Sequence, residues 1–310
     1  MHPYANVDFS SILSSMLWLA IALLAPMLFA VSNIFDNDLT NLHFKKVPTL
    51  VYYSSLFNTL FLPFVFLIQR PVALPIAMIP VAIAIGAIEI LYLFPYYAAL
   101  RRDDTSVVVS LFGLGKLFIP FLAYLFVREA LHPIQYVGFS LIILGSICVS
   151  LNLKQHIKLN AAFGYMLFCS ALLSVEAILY KYIFDSVSWG TGFTWSVIFS
   201  FVFALCFWLV PKWRSDIFEK SDAFVHKLPV FLANEFFTFS GSAALTYAVS
   251  IGSVSLTQGI ESTQPFFVLI YALLLKRFMP KVFKERIDGK SLRRKFFWFV
   301  VIIVGIVMAV

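Results

Sequence analysis

Charge is scarce in this sequence. Only 13% of its 310 residues are Asp, Glu, Lys or Arg, while 61% are hydrophobic. A soluble domain is nearer a quarter charged and half apolar, so this balance excludes one and points to a polytopic membrane protein. Cysteine is nearly absent. Cys148, Cys169 and Cys206 lie in apolar runs with no metal spacing and no disulfide framework, and read as small packing residues. Histidine is missing from the apolar runs: His2, His43, His132, His156 and His226 fall in tails or loops. There is no His-Glu-x-x-His and no Gly-x-Ser-x-Gly. Gly113-Leu114-Gly115-Lys116 lacks the first glycine of a phosphate loop, because Ser110 stands there. The expectation is no enzyme and no cofactor. The first apolar run follows no basic segment and no clear cleavage site, so it reads as a retained helix.

Long apolar runs are plentiful. A helix needs about twenty residues to cross ~30 Å of hydrocarbon. Ten runs approach that length: 12–35, 48–69, 76–100, two flanking the polar break at 128–133 within 105–153, then 161–184, 189–211, 228–251, 254–275 and a short 296–310. Pro95 is expected to kink the third, since an interior proline deletes a backbone donor. A mixed-charge loop is expected over 212–227. Gly138 and Gly145 lie seven apart on the fifth run and read as a packing seam, within one protomer or between two.

The polar linker 154–160 sits near the midpoint, with five runs in 1–153 and five in 161–310. Ala99-Leu100 and Thr105-Ser106-Val107 align with Ala248-Val249 and Val254-Ser255-Leu256 at an offset of 149, which suggests duplication. Five is odd, so the second half sits inverted relative to the first. The expected fold class is an all-α membrane protein of ten transmembrane helices in two inverted five-helix repeats. Transporters that bind at the midplane and alternate access share that plan. Nineteen Lys and Arg fall on one side of this topology and three on the other. The positive-inside rule then puts both termini outside the cytoplasm, in a cell membrane. The net charge of +7 lies beside the spans, so it reads as anchoring to the bilayer; nucleic acid is not an expected partner.

Five ionisable residues fall well inside spans: Glu89, Lys116, Glu176, Glu235 and Glu261. Intramembrane charges usually face a bundle interior. Glu89 lies 12 residues before Arg101 and Lys116 lies 12 after Asp104, which puts both at one depth near the midplane. A Glu89–Lys116 pair is expected, either locking two helices or opening to substrate or proton. Glu261 begins Glu261-Ser262-Thr263-Gln264-Pro265, where Pro265 frees a carbonyl one turn back; that makes a ligand surface or a plain kink. Glu176 has Tyr180 and Lys181 four and five residues on as partners. Four carboxylates against one lysine make an acidic cavity suited to an amine-bearing solute, with Lys116 to receive a carboxylate. Tyr92, Tyr96, Trp18 and Trp195 are candidate ring faces for a cation, although most aromatic residues here pack helices or face lipid.

The hairpin resembles EamA-type members of the drug/metabolite transporter superfamily. Thr105-Ser106, Glu129, Gln135, Gly138, Ile142 and Gly145 fill its pattern, and Ser255 and Pro265 repeat part of it. The family's mid-helix proline position is taken by Lys116, with Pro120 one turn later. The resemblance implies a ten-helix transporter of small organic solutes, with both termini in the cytoplasm, the reverse of the charge count. The function expected is alternating-access transport of a small polar metabolite (amino acid, amine or similar zwitterion or cation), with protons as a further partner. A passive channel, a lipid flippase or an intramembrane enzyme are the alternatives.

Overall fold

A computed structural model of the chain describes residues 9–40, 46–102, 105–150, 161–219, 221–275 and 289–309. The linker 154–160 and most of the basic loop before the last helix lie outside the described residues. Every regular element among the described residues is helical. The first half holds α1 (Phe9–Asp38), α2 (Val47–Leu60), α3 (Pro63–Ile68), α4 (Ile79–Leu91), α5 (Leu93–Leu100), α6 (Thr105–Lys116), α7 (Ile119–Val127) and α8 (Pro133–Ser150). The second holds α9 (Ala161–Phe184), α10 (Trp189–Leu205), α11 (Pro211–Glu219), α12 (Ser221–Ile251), α13 (Val254–Glu261), α14 (Gln264–Leu275) and α15 (Gly289–Ala309).

Five helical segments among the described residues are long and apolar enough to cross a membrane: Met16–Asp38, Val47–Ile68, Ile76–Leu100, Ala161–Phe184 and Trp189–Leu209. Their outer faces carry large apolar side chains, with Leu67 81%, Ile76 85% and Leu209 80% exposed. Such a surface suits lipid and is costly in water.

Prolines set the interruptions. Pro95 cannot donate to the carbonyl of Leu91, and the third span breaks at Tyr92, between α4 and α5. Pro120 is the second residue of α7 and Pro265 the second of α14. Each ends the preceding half-helix one turn back, at Lys116 and at Glu261. Thus both broken helices end on a charged residue four positions before a proline.

Several expected boundaries shift. α1 runs on to Asp38 because the Asp36 side chain is satisfied inside the bundle. α12 starts at Ser221, carrying Pro229 within it, and the last helix starts at Gly289 rather than at 296. The stretch expected as a loop over 212–227 contains α11. Its Asp216 meets Lys46 at 2.5 Å and its backbone carbonyl accepts from Thr49.

The two halves interleave. α1 packs along α12, while α9 packs against α4 and α5. α1 meets α13 and α14, while α9 meets α6 and α7. α2 touches α12, and α10 touches α4. In each case the second contact exchanges the halves of the first. α8 packs along α15 through glycines. A Cβ on Gly138 would lie 2.6 Å from the Gly305 carbonyl oxygen, and one on Gly305 2.8 Å from that of Gly138. The seam expected on the fifth run therefore lies within one chain.

Candidate functional site

Between the halves lies a cavity of about 180 Å³. Asp36, Glu89, Lys116, Glu176, Glu235 and Glu261 all line it. Its carboxylates form two clusters with an ion pair besides.

The first cluster joins α1, α2, α5 and α12. Ser54 donates to Glu235 Oε1 at 2.6 Å. Asn234 Nδ2 donates to Glu235 Oε1 at 3.2 Å and to Asp36 Oδ1 at 3.0 Å. Tyr96 donates to Asp36 Oδ2 at 3.0 Å, and the Tyr97 hydroxyl lies 3.4 Å from Oδ1. The second cluster joins α4, α9 and α10. Tyr180 donates to Glu89 Oε1 at 2.5 Å, and Ser200 lies near the same carboxyl. Glu176 interacts electrostatically with Glu89. Gly86 permits this meeting: a Cβ there would lie 2.6 Å from the Ser200 backbone nitrogen, so α4 and α10 nearly touch one turn before Glu89. Tyr92, at the break in the third span, also lines the cavity, within electrostatic reach of Glu176, Glu89 and Asp36.

Lys116 pairs with Glu261. Their side chains are 6% and 10% exposed, so the pair is desolvated. This replaces the expected Glu89–Lys116 pair. Equal depth in two helices does not fix which way each side chain faces: α4 turns Glu89 toward α9 and α10, and α6 lies against α14.

Other expected residues divide. Glu89, Lys116, Glu176, Glu235, Glu261, Tyr92 and Tyr96 come together in the one cavity. Trp18 does not line it. Its indole donates to the Ala248 carbonyl at 3.1 Å and to Thr257 Oγ1 at 3.2 Å, fastening α1 to α12 and α13. Trp195 donates to the Val72 carbonyl at 2.9 Å, in the connection between the second and third spans. Tyr180 serves Glu89 rather than Glu176. Lys181 turns away, donating to the Gly252 carbonyl at 3.3 Å and approaching Asp185 at 3.5 Å.

Sequence reasoning missed Asp36, Ser54 and Ser200, and gave Tyr180 to Glu176 instead of Glu89. A signal existed. Ser54 and Ser200 lie 146 residues apart, as do Glu89 and Glu235; Lys116 and Glu261 lie 145 apart, as do Pro120 and Pro265. The polar residues and prolines therefore repeat at a spacing slightly shorter than the 149 suggested by the apolar ends.

At one edge of the bundle, Glu129 follows α7. Its carboxylate accepts from Ser253 Oγ at 2.9 Å and from the backbone nitrogens of Val254 and Ser255 at 2.8 and 3.0 Å. A first-half carboxylate thus caps the N-terminus of a second-half helix, where free N–H groups and the helix dipole favour negative charge.

Among the described residues no group of His, Cys, Asp and Glu is arranged to hold a metal ion. Residues 16–151 match the EamA-like transporter family. That family is part of the drug/metabolite transporter superfamily. The family is one of membrane transporters, and the match covers the first-half residues that line the cavity. A solved structure described as "Crystal structure of protein" has the same fold, with a TM-score of 0.59 at 15% identity, covering 92% of this chain and 97% of its own. Comparison with curated proteins gives no match.

Proposed function

We propose that this EamA-like protein is a secondary transporter moving a small, polar, amine-bearing organic metabolite by alternating access. On this reading residues 1–153 and 161–310 are two inverted five-helix repeats joined by 154–160, and the ten spans rock about the cavity.

One observation carries the reading: Ser54 of the first half bonds Glu235 of the second, and Ser200 of the second lies against Glu89 of the first. These are the same two residue types at one spacing, exchanged between halves. Such reciprocity is what a two-fold axis through the cavity produces, and that axis makes inward-open and outward-open states near equivalents. Glu89, Lys116, Glu176, Glu235, Glu261, Tyr92 and Tyr96 are the proposed binding residues, with Asp36, Ser54 and Ser200 added. Trp18 is proposed as a brace.

Carboxylates within a membrane require a counter-charge in every state of the cycle. Protons are the counter-ions available when the solute leaves, which couples transport to a pH gradient. The test is uptake of amine solutes into proteoliposomes with and without a pH gradient. Accumulation above the outside concentration, driven by the gradient, is expected. Equilibration alone would mean a channel.

A further inference from the structure

The charges in the cavity are unequal in a way that restricts the solute. Lys116 is taken up by Glu261. Among the described residues lining the cavity, no other lysine or arginine is present. Asp36 and Glu235 receive hydrogen bonds only from neutral groups in the contacts described above: Ser54, Tyr96, Tyr97 and Asn234. Glu89 receives one from Tyr180, with Ser200 near it, both also neutral. Neutral donors orient a carboxylate without cancelling its charge. Two carboxylate pairs, Asp36 with Glu235 and Glu89 with Glu176, therefore stand ready for cations. The hydroxyl of Ser55 adds an independent sign. It lines the same cavity, its residue is 6% exposed, and it has no hydrogen-bond partner. A buried hydroxyl of this kind normally finds a partner, so it marks where a ligand donor or acceptor belongs.

We propose that the solute is a linear diamine, with one ammonium between Asp36 and Glu235 and the other between Glu89 and Glu176. The proposal rests on the transporter reading above and narrows its substrate. The aliphatic chain would pass the cavity wall that Tyr92, Tyr96 and Phe112 line, where the Tyr96 and Phe112 rings meet at 5.4 Å. A ligand with two like ends also matches a site whose Ser–Glu contacts are exchanged between halves. An amino acid fits less well, because its carboxylate would have to take Lys116 from Glu261. A monoamine would leave one pair without a cation.

The test uses the full chain in lipid nanodiscs and three probes titrated by calorimetry: 1,4-diaminobutane, butylamine and 4-aminobutyrate. The diamine should bind about ten-fold or more tightly than butylamine, the worth of one further charge-assisted contact. 4-Aminobutyrate should bind weakest. Glu89→Gln and Glu235→Gln should each bring the diamine down to the affinity of butylamine, and the milder Ser54→Ala and Ser200→Ala should each lower it several-fold if the carboxyl variants do not fold. Equal binding of butylamine and diamine, or tightest binding of 4-aminobutyrate, would overturn the proposal. Proteoliposome uptake separates the two readings. Transport of another solute without diamine binding removes the diamine and leaves the transporter; diamine binding without any transport does the reverse.

Discussion

Lys116 and Glu261 end two half-helices from opposite halves of the chain, and each pairs with the other across the cavity. Each lies four residues before a proline, so each sits where a backbone carbonyl has lost its donor. The pair therefore joins the two places where the bundle is locally loosest. Removing one partner of a buried ion pair leaves an uncompensated charge and costs about 3–5 kcal/mol, whereas removing both is often neutral. Lys116→Met alone and Glu261→Gln alone should each lower the unfolding midpoint in detergent markedly. The double variant should recover most of the loss. A double variant as unstable as the singles would mean that the two side chains do not act as a pair.

The parts of this arrangement differ in how far they could be read in advance. Apolar run length was enough to find α9 and the two-part second and third spans, because a membrane crossing needs little beyond length and hydropathy. Depth was legible too: Glu89, Glu176, Glu235, Lys116 and Glu261 all reach the cavity. Azimuth was not. A position in a helix fixes its height, but its partner depends on which neighbour packs against that face, and Gly86 decides that for Glu89. Asp36 falls just past the first apolar run, where an acid usually ends a span; three side chains from other helices keep it inside. The apolar ends align at an offset of 149 and the serines, glutamates and prolines at 145 or 146, because apolar helix ends are interchangeable. The serines, glutamates and prolines are not, since a slip of one residue turns each by about 100° around its helix.

The glycine seam between α8 and α15 predicts a steric outcome. A Cβ on Gly138 would meet the Gly305 carbonyl oxygen at 2.6 Å and the Ala309 nitrogen at 2.8 Å. Both obstacles are backbone, so neither can swing aside. Gly138→Leu should separate the fifth and last helices and lower stability by about 1–3 kcal/mol or more, the cost of overpacking a close contact. Gly164 has nothing within 4 Å of its added Cβ, so Gly164→Ala serves as the control and should leave the melting curve unchanged or raise it slightly. Equal melting temperatures for Gly138→Leu and the parent would count against the seam.

Arg128 ends α7 in the left-handed region, with φ 53° and ψ 29°. The nitrogen of Glu129 then bonds back to the Ala123 carbonyl, which closes the helix end in the manner usually given to glycine. A side chain in that conformation costs about 1–2 kcal/mol. Arg128→Gly should therefore stabilise the chain, by about 1 kcal/mol after the added freedom of the unfolded glycine is counted. A rise in the thermal midpoint in detergent is the expected reading, and a fall would show that the arginine side chain holds the end in some other way.

The turn at Arg128 also aims Glu129 at the start of α13, and the consequence is mechanical. The carboxylate holds Ser253, Val254 and Ser255 together, and Lys181 holds the neighbouring Gly252 carbonyl. On the alternating-access reading proposed above, the two halves part at one edge of the bundle in one of the two states, and a contact that bridges the halves at that edge must break. Glu129→Gln keeps the shape but weakens charge-assisted bonds to backbone N–H groups, each worth about 1.5–3 kcal/mol. The variant should shift the balance toward the state open at this edge by ten-fold or more, by the usual conversion of 1.4 kcal/mol per decade. A cysteine placed at Ser253 in a background lacking Cys148, Cys169 and Cys206 would report it. Its alkylation by a membrane-impermeant maleimide should speed up in Glu129→Gln and slow again in Glu129→Asp if the shorter acid still reaches the helix end. Unchanged alkylation across all three proteins would show that Glu129 caps α13 without restraining the opening.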